Sequence, residues 1–222
     1  MAIIKDHNLI FFHVPKTGGN SICDFFDVQM FGHRHATSYI EIMGEKEFYS
    51  YKKFAAVRDP IGRFISAYKH LKRSFFLFQS QNDASVADAK KYEQLDLNNF
   101  EWNINEFVLT GRLKFVIEKA FTEFNGMAVF LSSIDQDTKQ GVLHHLDYIL
   151  RTERLEEDLQ RMLKLEGIDI PRTLNRLNPG SSAVEPFYPE VIKIIEECYH
   201  VDYHMLDLMW EKKMFAFQKA DS

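Results

Sequence analysis

Two short stretches of this 222-residue chain carry residues whose types and spacing could do chemistry. The first is Lys16-Thr17-Gly18-Gly19-Asn20-Ser21, a glycine-rich turn between an apolar run and an amphipathic stretch. In such a turn successive backbone N–H groups converge on an anion and a following helix adds positive potential, so it reads as a phosphate cradle. Laid over residues 14–21, the Walker pattern G-x-x-x-x-G-K-[ST] is met by Gly19 and Ser21, whereas Val14 stands for the first glycine and Asn20 for the lysine. Lys16 stands at the loop's entrance instead, which implies a nucleotide with a different charge layout. The second stretch begins at Arg58, which closes another apolar run. A guanidinium there can bind a second phosphate bidentately, and the hydroxyl of Ser66 can add a donor. A tight turn, a salt bridge and a helix-face serine are the ordinary structural roles of the same residues.

The elements that must position these groups follow from hydrophobic period and punctuation. Residues 8–14 (NLIFFHV) are a short aromatic-rich run closed by Pro15, as in a buried strand of a parallel sheet, and are expected to form the first strand. Residues 21–31 place Ile22, Phe25, Phe26 and Met30 at helical spacing, Thr37 can cap a short helix, and 53–57 (KFAAV) read as a second buried strand. Asp59 as N-cap and Pro60 at the first helical position start a helix whose buried stripe is Ile61, Phe64, Ile65 and Tyr68. Residues 74–103 are polar and without clear period, and are expected to be irregular, either lining a substrate cleft or running over the surface. Helical segments are expected over 104–121, strands at 127–131 and 146–152, and a helix over 154–165 that buries Leu155, Leu159, Met162 and Leu163. Residues 171–189 hold four of the six prolines and read as a long loop before a helix over 190–199. Alternating strands and helices predict an α/β fold, a parallel sheet flanked by helices, with ligands at the C-terminal ends of its strands.

Composition bounds the remaining possibilities. At 45% hydrophobic residues with 20 Phe and 9 Tyr, the chain can bury one sizeable core, and one domain over residues 1–222 is expected. No apolar run approaches the ~20 residues that span a bilayer, and the first residues lack a signal-sequence pattern, so no membrane span and a cytoplasmic location are expected. Cys23 and Cys198 are too few for a disulfide framework and read as reduced thiols. A net charge of −5 argues against a nucleic-acid partner. The average conceals a local excess: residues 52–73 hold Lys52, Lys53, Arg58, Arg63, Lys69, Lys72 and Arg73 against one acid, Asp59.

Pro15-Lys16-Thr17-Gly18-Gly19-Asn20-Ser21 resembles the 5′-phosphosulfate loop of sulfotransferases that use 3′-phosphoadenosine 5′-phosphosulfate (PAPS). Arg58-Asp59-Pro60-Ile61-Gly62-Arg63-Phe64-Ile65-Ser66-Ala67-Tyr68 resembles their 3′-phosphate motif, R-D-P-x-x-R-x-x-S-x-Y. Both stand in the family's order, and the absence of a loop tryptophan makes the chain most similar to the carbohydrate branch, with heparan sulfate 2-O-sulfotransferase and its bacterial relatives. Leu150-Arg151-Thr152-Glu153-Arg154-Leu155 and the loop at Asn178 also resemble bacterial members. Asn20 departs from the commoner Thr or Ser of the loop.

The resemblance implies a P-loop-like sulfotransferase fold and sulfuryl transfer from PAPS to a hydroxyl of a sugar or glycoconjugate, with no metal. It implies that Lys16, Thr17, Gly18, Gly19, Asn20 and Ser21 bind the 5′-phosphosulfate, with Lys16 also neutralising charge as the S–O bond breaks, and that Arg58 and Ser66 bind the 3′-phosphate. Transfer to a hydroxyl needs a base, and histidine suits neutral pH. By similarity to the H-x-H segment of the branch, His35 of His33-Arg34-His35 is that base, and His33 contacts the acceptor or orients the site. Two rivals are a nucleoside-triphosphate phosphotransferase with a divergent P-loop and a nucleotide-binding module without chemistry. Asn20 at the Walker lysine position counts against the first, and Lys16 with His35 against the second. Other constellations are incomplete: His200-Val201-Asp202-Tyr203-His204 lacks the glutamate of H-E-x-x-H, Gly19-Asn20-Ser21-Ile22-Cys23 lacks the closing glycine of G-x-S-x-G, and His144-His145 has no partner motif.

Overall fold

The structure, a computed structural model, describes residues 2–30, 32, 37–81, 103–119, 121–131, 146–175 and 186–219. They fall into two compact units. The first comprises Met1–Asp59, Gly126–Pro179 and His200–Ser222, and the second Pro60–Asn125 and Gly180–Tyr199.

The first unit is built on a four-stranded sheet of β1 (Ala2–Ile4), β2 (Leu9–Phe12), β3 (Lys52–Val57) and β4 (Tyr148–Arg151), in that spatial order. β2 pairs with β3 in parallel from Leu9↔Lys52 to Phe12↔Ala55, and β3 with β4 in parallel from Phe54↔Tyr148 to Val57↔Arg151. The run 8–14 therefore forms a central strand, but not the first one. Ala2–Ile4 precedes it and pairs antiparallel, Ala2 opposite Phe11, because a short 3-10 turn over Lys5–His7 and left-handed Asn8 (φ 53°) reverse the chain within four residues. Three apolar residues give no readable period, which is why this edge strand is silent in the sequence.

Both faces of the sheet are covered, as a mainly parallel sheet requires. Ile10, Phe12, Ala55, Val57 and Ile149 pack on one side with Tyr39, Phe48, Met127, Leu131 and Met209. The alternate residues Leu9, Phe11, Phe54, Ala56 and Leu150 pack on the other with Ile22, Phe25, Leu155, Leu159 and Met162. Ile22 and Phe25 come from α1 (Gly19–Phe25), Tyr39 from α2 (Thr37–Met43) and Phe48 from α3 (Glu45–Ser50), and the remaining partners from helices later in the chain. α1 stops well short of the expected residue 31, since Asp27 takes a positive φ of 52° and the Val28 N–H turns back to the Cys23 carbonyl.

In the second unit α4 (Pro60–Gln81) starts at the proline that follows Asp59. It runs well into the stretch expected to be irregular, carried by Phe75, which is buried in this unit's core. Residues 82–102 lie outside the described part. α5 (Ile104–Leu109) is capped by the Asn103 side chain, which accepts from the N–H groups of Asn105 and Glu106, and α6 (Arg112–Glu118) follows.

The chain then returns to the first unit with α7 (Met127–Leu131), where a strand was expected. The Asp202 carboxylate accepts hydrogen bonds from the N–H groups of Met127 (2.8 Å) and Ala128 (2.9 Å), so a remote residue caps a helical turn in an apolar run with no decisive period of its own. α8 (Leu155–Leu165) buries Leu155, Leu159, Met162 and Leu163, the stripe read from the sequence. α9 (Pro189–Cys198) packs Val191 and Ile195 into the second unit, and α10 (His200–Glu211) packs Met205 and Met209 into the first.

Candidate functional site

β2 gives way after Phe12 to a turn that is fixed mostly by its own groups. Thr17 is fully buried and its Oγ1 donates to the Val14 carbonyl at 2.9 Å. Lys16 sits at φ +69°, a left-handed conformation that costs a non-glycine residue of order 1–3 kcal/mol and persists only where its surroundings enforce it. Gly18 (φ +87°) caps α1, its carbonyl accepting from Ser21 and Ile22. Gly18 is required by its left-handed φ and Gly19 by space. A Cβ on Gly18 would lie 2.7 Å from Leu155 Cδ2, and one on Gly19 would lie 1.9 Å from His13 Cδ2. α1 is only seven residues long, so any anion affinity here comes from the loop amides and nearby cations far more than from a macrodipole.

Parallel pairing brings the C-terminal ends of β2, β3 and β4 to one edge of the sheet. Arg58, next after β3, points its Nη1 at the Lys16 carbonyl (3.4 Å), and its Nε lies 3.9 Å from Glu153 Oε1. Its side chain keeps 30% of its exposure, so an anion can still reach the guanidinium. At the end of β4, Thr152 Oγ1 lies 3.0 Å from the Thr17 carbonyl and 2.9 Å from that of Val57. Arg151 beside it is clamped on buried Asp158: its backbone N–H and Nε reach Oδ2 at 2.8 and 2.9 Å, and Nη2 reaches Oδ1 at 2.6 Å. The hydrogen-bonded carboxylate pushes the guanidinium's pKa further up, and Phe217 stacks 3.9 Å from Cζ.

Of the residues singled out in the sequence, Lys16, Thr17, Gly18, Gly19, Asn20, Ser21 and Arg58 thus share one corner of the first unit. Thr17 and Ser21 are buried and Asn20 is exposed. Ser66 is half-buried on α4, in the second unit. Arg63 is part of that unit's core. It is fully buried, donates to the Glu123 carbonyl (3.3 Å) and lies 5.1 Å from the centre of the Tyr199 ring, whose hydroxyl donates to the Phe124 carbonyl. His33, His35, Asn178, His144 and His145 lie outside the described residues. Three contributors have no role in the sequence reading: His13 against Gly19, Thr152 under the loop, and Glu153 beside Arg58, although the last two lie in the stretch that resembles bacterial members. A hydroxyl and a carboxylate directly after the third buried run, in Leu150-Arg151-Thr152-Glu153, were the available signal for the last two.

Residues 1–208 match the model of the family described as the sulfotransferase family. The chain belongs to the sulfotransferase family. The match covers most of the chain and includes both the glycine-rich loop and Arg58, so the phosphotransferase rival falls away. No curated protein and no solved structure matches it. Members of the family generally draw the sulfuryl group from PAPS and place it on a hydroxyl-bearing acceptor. In this sulfotransferase His200 and His204 are exposed on α10, and no helix among the described residues is long and apolar enough to cross a membrane. Burial pushes the thiols of Cys23 and Cys198 up in pKa, so both stay protonated at neutral pH.

Proposed function

We propose that this sulfotransferase uses PAPS and sulfates a hydroxyl of a sugar or glycoconjugate, working as one domain over residues 1–222 in the cytoplasm. The observation that carries the nucleotide reading is the approach of Arg58 to the Lys16 carbonyl, which sets a partly exposed guanidinium beside a loop where Gly18 is left-handed and Gly19 has no room for a side chain. Two cations and a run of backbone donors fit a nucleotide with phosphate groups at both its 5′ and 3′ ends. Lys16, Thr17, Gly18, Gly19, Asn20 and Ser21 would hold the 5′ end, and Arg58 with Ser66 the 3′-phosphate. When bound, PAPS supplies an activated sulfuryl group.

The chain's own part is positioning and electrostatics. Lys16 offsets negative charge at the bridging oxygen, and His35 accepts the proton of the acceptor hydroxyl. His33 contacts the acceptor or orients the site. The assignment of both histidines rests on the resemblance of His33-Arg34-His35 to the H-x-H segment. The sugar reading rests on the same branch resemblance and on the basic face of α4 at Lys69, Lys72 and Arg73, which favours an acceptor bearing carboxylate or sulfate groups.

Thermal-shift titration with adenosine 3′,5′-bisphosphate, AMP and ATP in parallel tests the donor. The bisphosphate should stabilise most, and equal shifts or a preference for ATP would refute PAPS use. Transfer of label from radioactive PAPS to a panel of oligosaccharides, glycolipids, phenols and sterols tests the acceptor. Efficient sulfation of phenols with none of saccharides would overturn the carbohydrate reading and leave the donor reading intact.

A further inference from the structure

We propose that Thr152 is a positioning residue for the transfer site: its hydroxyl sets the direction of the loop's backbone donors and ties them to the strand that carries Arg58. The proposal rests on the nucleotide reading above. Its starting point is that three carbonyls of the loop are each engaged by a side chain. The carbonyl of Val14 takes Thr17 Oγ1, that of Lys16 takes Arg58 Nη1, and that of Thr17 takes Thr152 Oγ1.

A trans peptide is planar, with its C=O and N–H pointing in opposite directions. Holding the Lys16 carbonyl against Arg58 therefore turns the Thr17 N–H away from Arg58. Holding the Thr17 carbonyl against Thr152 turns the Gly18 N–H away from Thr152. These two amides are consecutive, and Gly18 has the conformational freedom to flip the peptide between it and Thr17 if nothing held it. The Thr152 hydroxyl is the group that holds it.

Thr152 also reaches a second carbonyl. Its single proton is shared between Thr17 and the 2.9 Å contact to Val57, the residue immediately before Arg58. One hydroxyl thus fixes both the peptide that presents Gly18 N–H and the peptide from which Arg58 departs. It is itself held in place, because Arg151 next to it makes three hydrogen bonds to fully buried Asp158 and is covered by Phe217. A purely structural threonine would stabilise this corner without affecting what the amides face. The lock proposed here predicts an effect on ligand binding that the methyl group cannot supply.

The test compares wild type, Thr152→Val and Thr152→Ser, with Thr152→Ala read in place of valine if that variant does not fold. Selective 15N-glycine labelling reports the Gly18 amide without ligand, and titrations with AMP and with adenosine 3′,5′-bisphosphate report binding. Thr152→Val should move the Gly18 resonance and weaken both nucleotides by about tenfold, as expected for loss of one hydrogen bond that orients a charge-binding donor. Thr152→Ser should restore both readouts to near wild type. An unmoved Gly18 resonance with unchanged affinities overturns the lock and leaves the nucleotide reading standing. Weakening of the bisphosphate alone, with AMP unaffected, overturns the role assigned to the loop amides. A wild-type protein that binds neither nucleotide overturns the nucleotide reading, and this proposal with it.

Discussion

Replacing Gly19 by alanine should destabilise the protein, although glycine to alanine at a helical position ordinarily helps. Gly19 is the first residue of α1 and its φ is not positive, so alanine there would be expected to gain up to about 0.5–1 kcal/mol through a less flexible unfolded chain. The added Cβ, however, would stand 1.9 Å from His13 Cδ2 and 2.0 Å from its Nε2. Non-bonded carbons rest at about 3.5–4.0 Å, so the ring would have to retreat by roughly 1.5–2 Å. It has nowhere to go, since His13 is only 5% exposed and stacks on Phe11, itself fully buried against Phe54. Overpacking of this kind costs about 1–3 kcal/mol and exceeds the backbone gain. A chain of this size loses about 2–4 °C of Tm per kcal/mol, which differential scanning calorimetry resolves. In a His13→Ala background the obstacle is gone, and Gly19→Ala should become neutral or stabilising, giving a coupling of about 1–3 kcal/mol, the overpacking cost itself, across the double-mutant cycle. Equal effects of Gly19→Ala in the two backgrounds would refute the claim that His13 is what reserves this position for glycine.

Four further outcomes are expected. Arg58→Ala should cost adenosine 3′,5′-bisphosphate about 1.5–3 kcal/mol of binding, roughly ten- to a hundredfold, beyond what AMP loses through release of the Lys16 carbonyl; equal losses for both in calorimetric titration would remove Arg58 from the 3′-phosphate. His35→Ala should lower sulfuryl transfer by ~10²- to 10⁴-fold with bisphosphate affinity unchanged, and near-normal turnover would move the base elsewhere, with His33 the next to test. Asp158→Ala should destabilise by about 2–3 kcal/mol, below the full range for a buried pair because Arg151 keeps 27% of its exposure; a urea midpoint shift worth under about 1 kcal/mol would contradict it. Burial lowers the pKa of Lys53 below 10.5, with Lys52 adding to the effect and Asp147 opposing it, so between the folded value and 10.5 the unfolded chain binds more protons. Stability of wild type relative to Lys53→Met should therefore rise with pH through that window, and urea midpoints that diverge in the opposite sense would contradict the burial account.

Where local chemistry decides the conformation, the sequence was readable. The buried runs at 8–14 and 53–57, the Asp59-Pro60 helix start and the 154–165 stripe are each set by a few adjacent residues, and each has its counterpart in β2, β3, α4 and α8. Where a remote partner decides, it was not. Residues 127–131 are apolar throughout and satisfy strand and helix templates alike, and the choice is made by Asp202, some 75 residues away. Ala2–Ile4 is a strand because β2 offers it an edge, with too few residues to signal that by itself.

The candidate site divides along the same line, and the division says what kind of site it is. Glycines, a lysine and an arginine can be recognised as anion-binding types from spacing alone, since steric room and charge are properties of single residues. What makes them a site is the set of hydrogen bonds that orient them. Those bonds join Arg58 to Lys16 across 42 residues, Thr152 to Val57 across 95 and Thr152 to Thr17 across 135. No local pattern encodes such separations; they follow from strands β2, β3 and β4 lying side by side in parallel, which delivers three distant loops to one edge. A left-handed lysine, a left-handed glycine and a second glycine without room for a Cβ accompany the close approach of those loops. A reaction that relied on a single reactive side chain would not need that arrangement, whereas one that relies on backbone donors aimed at a charged group does. The strain at Lys16 and the anchoring of its neighbours are what the proposed catalysis by positioning would require of this corner.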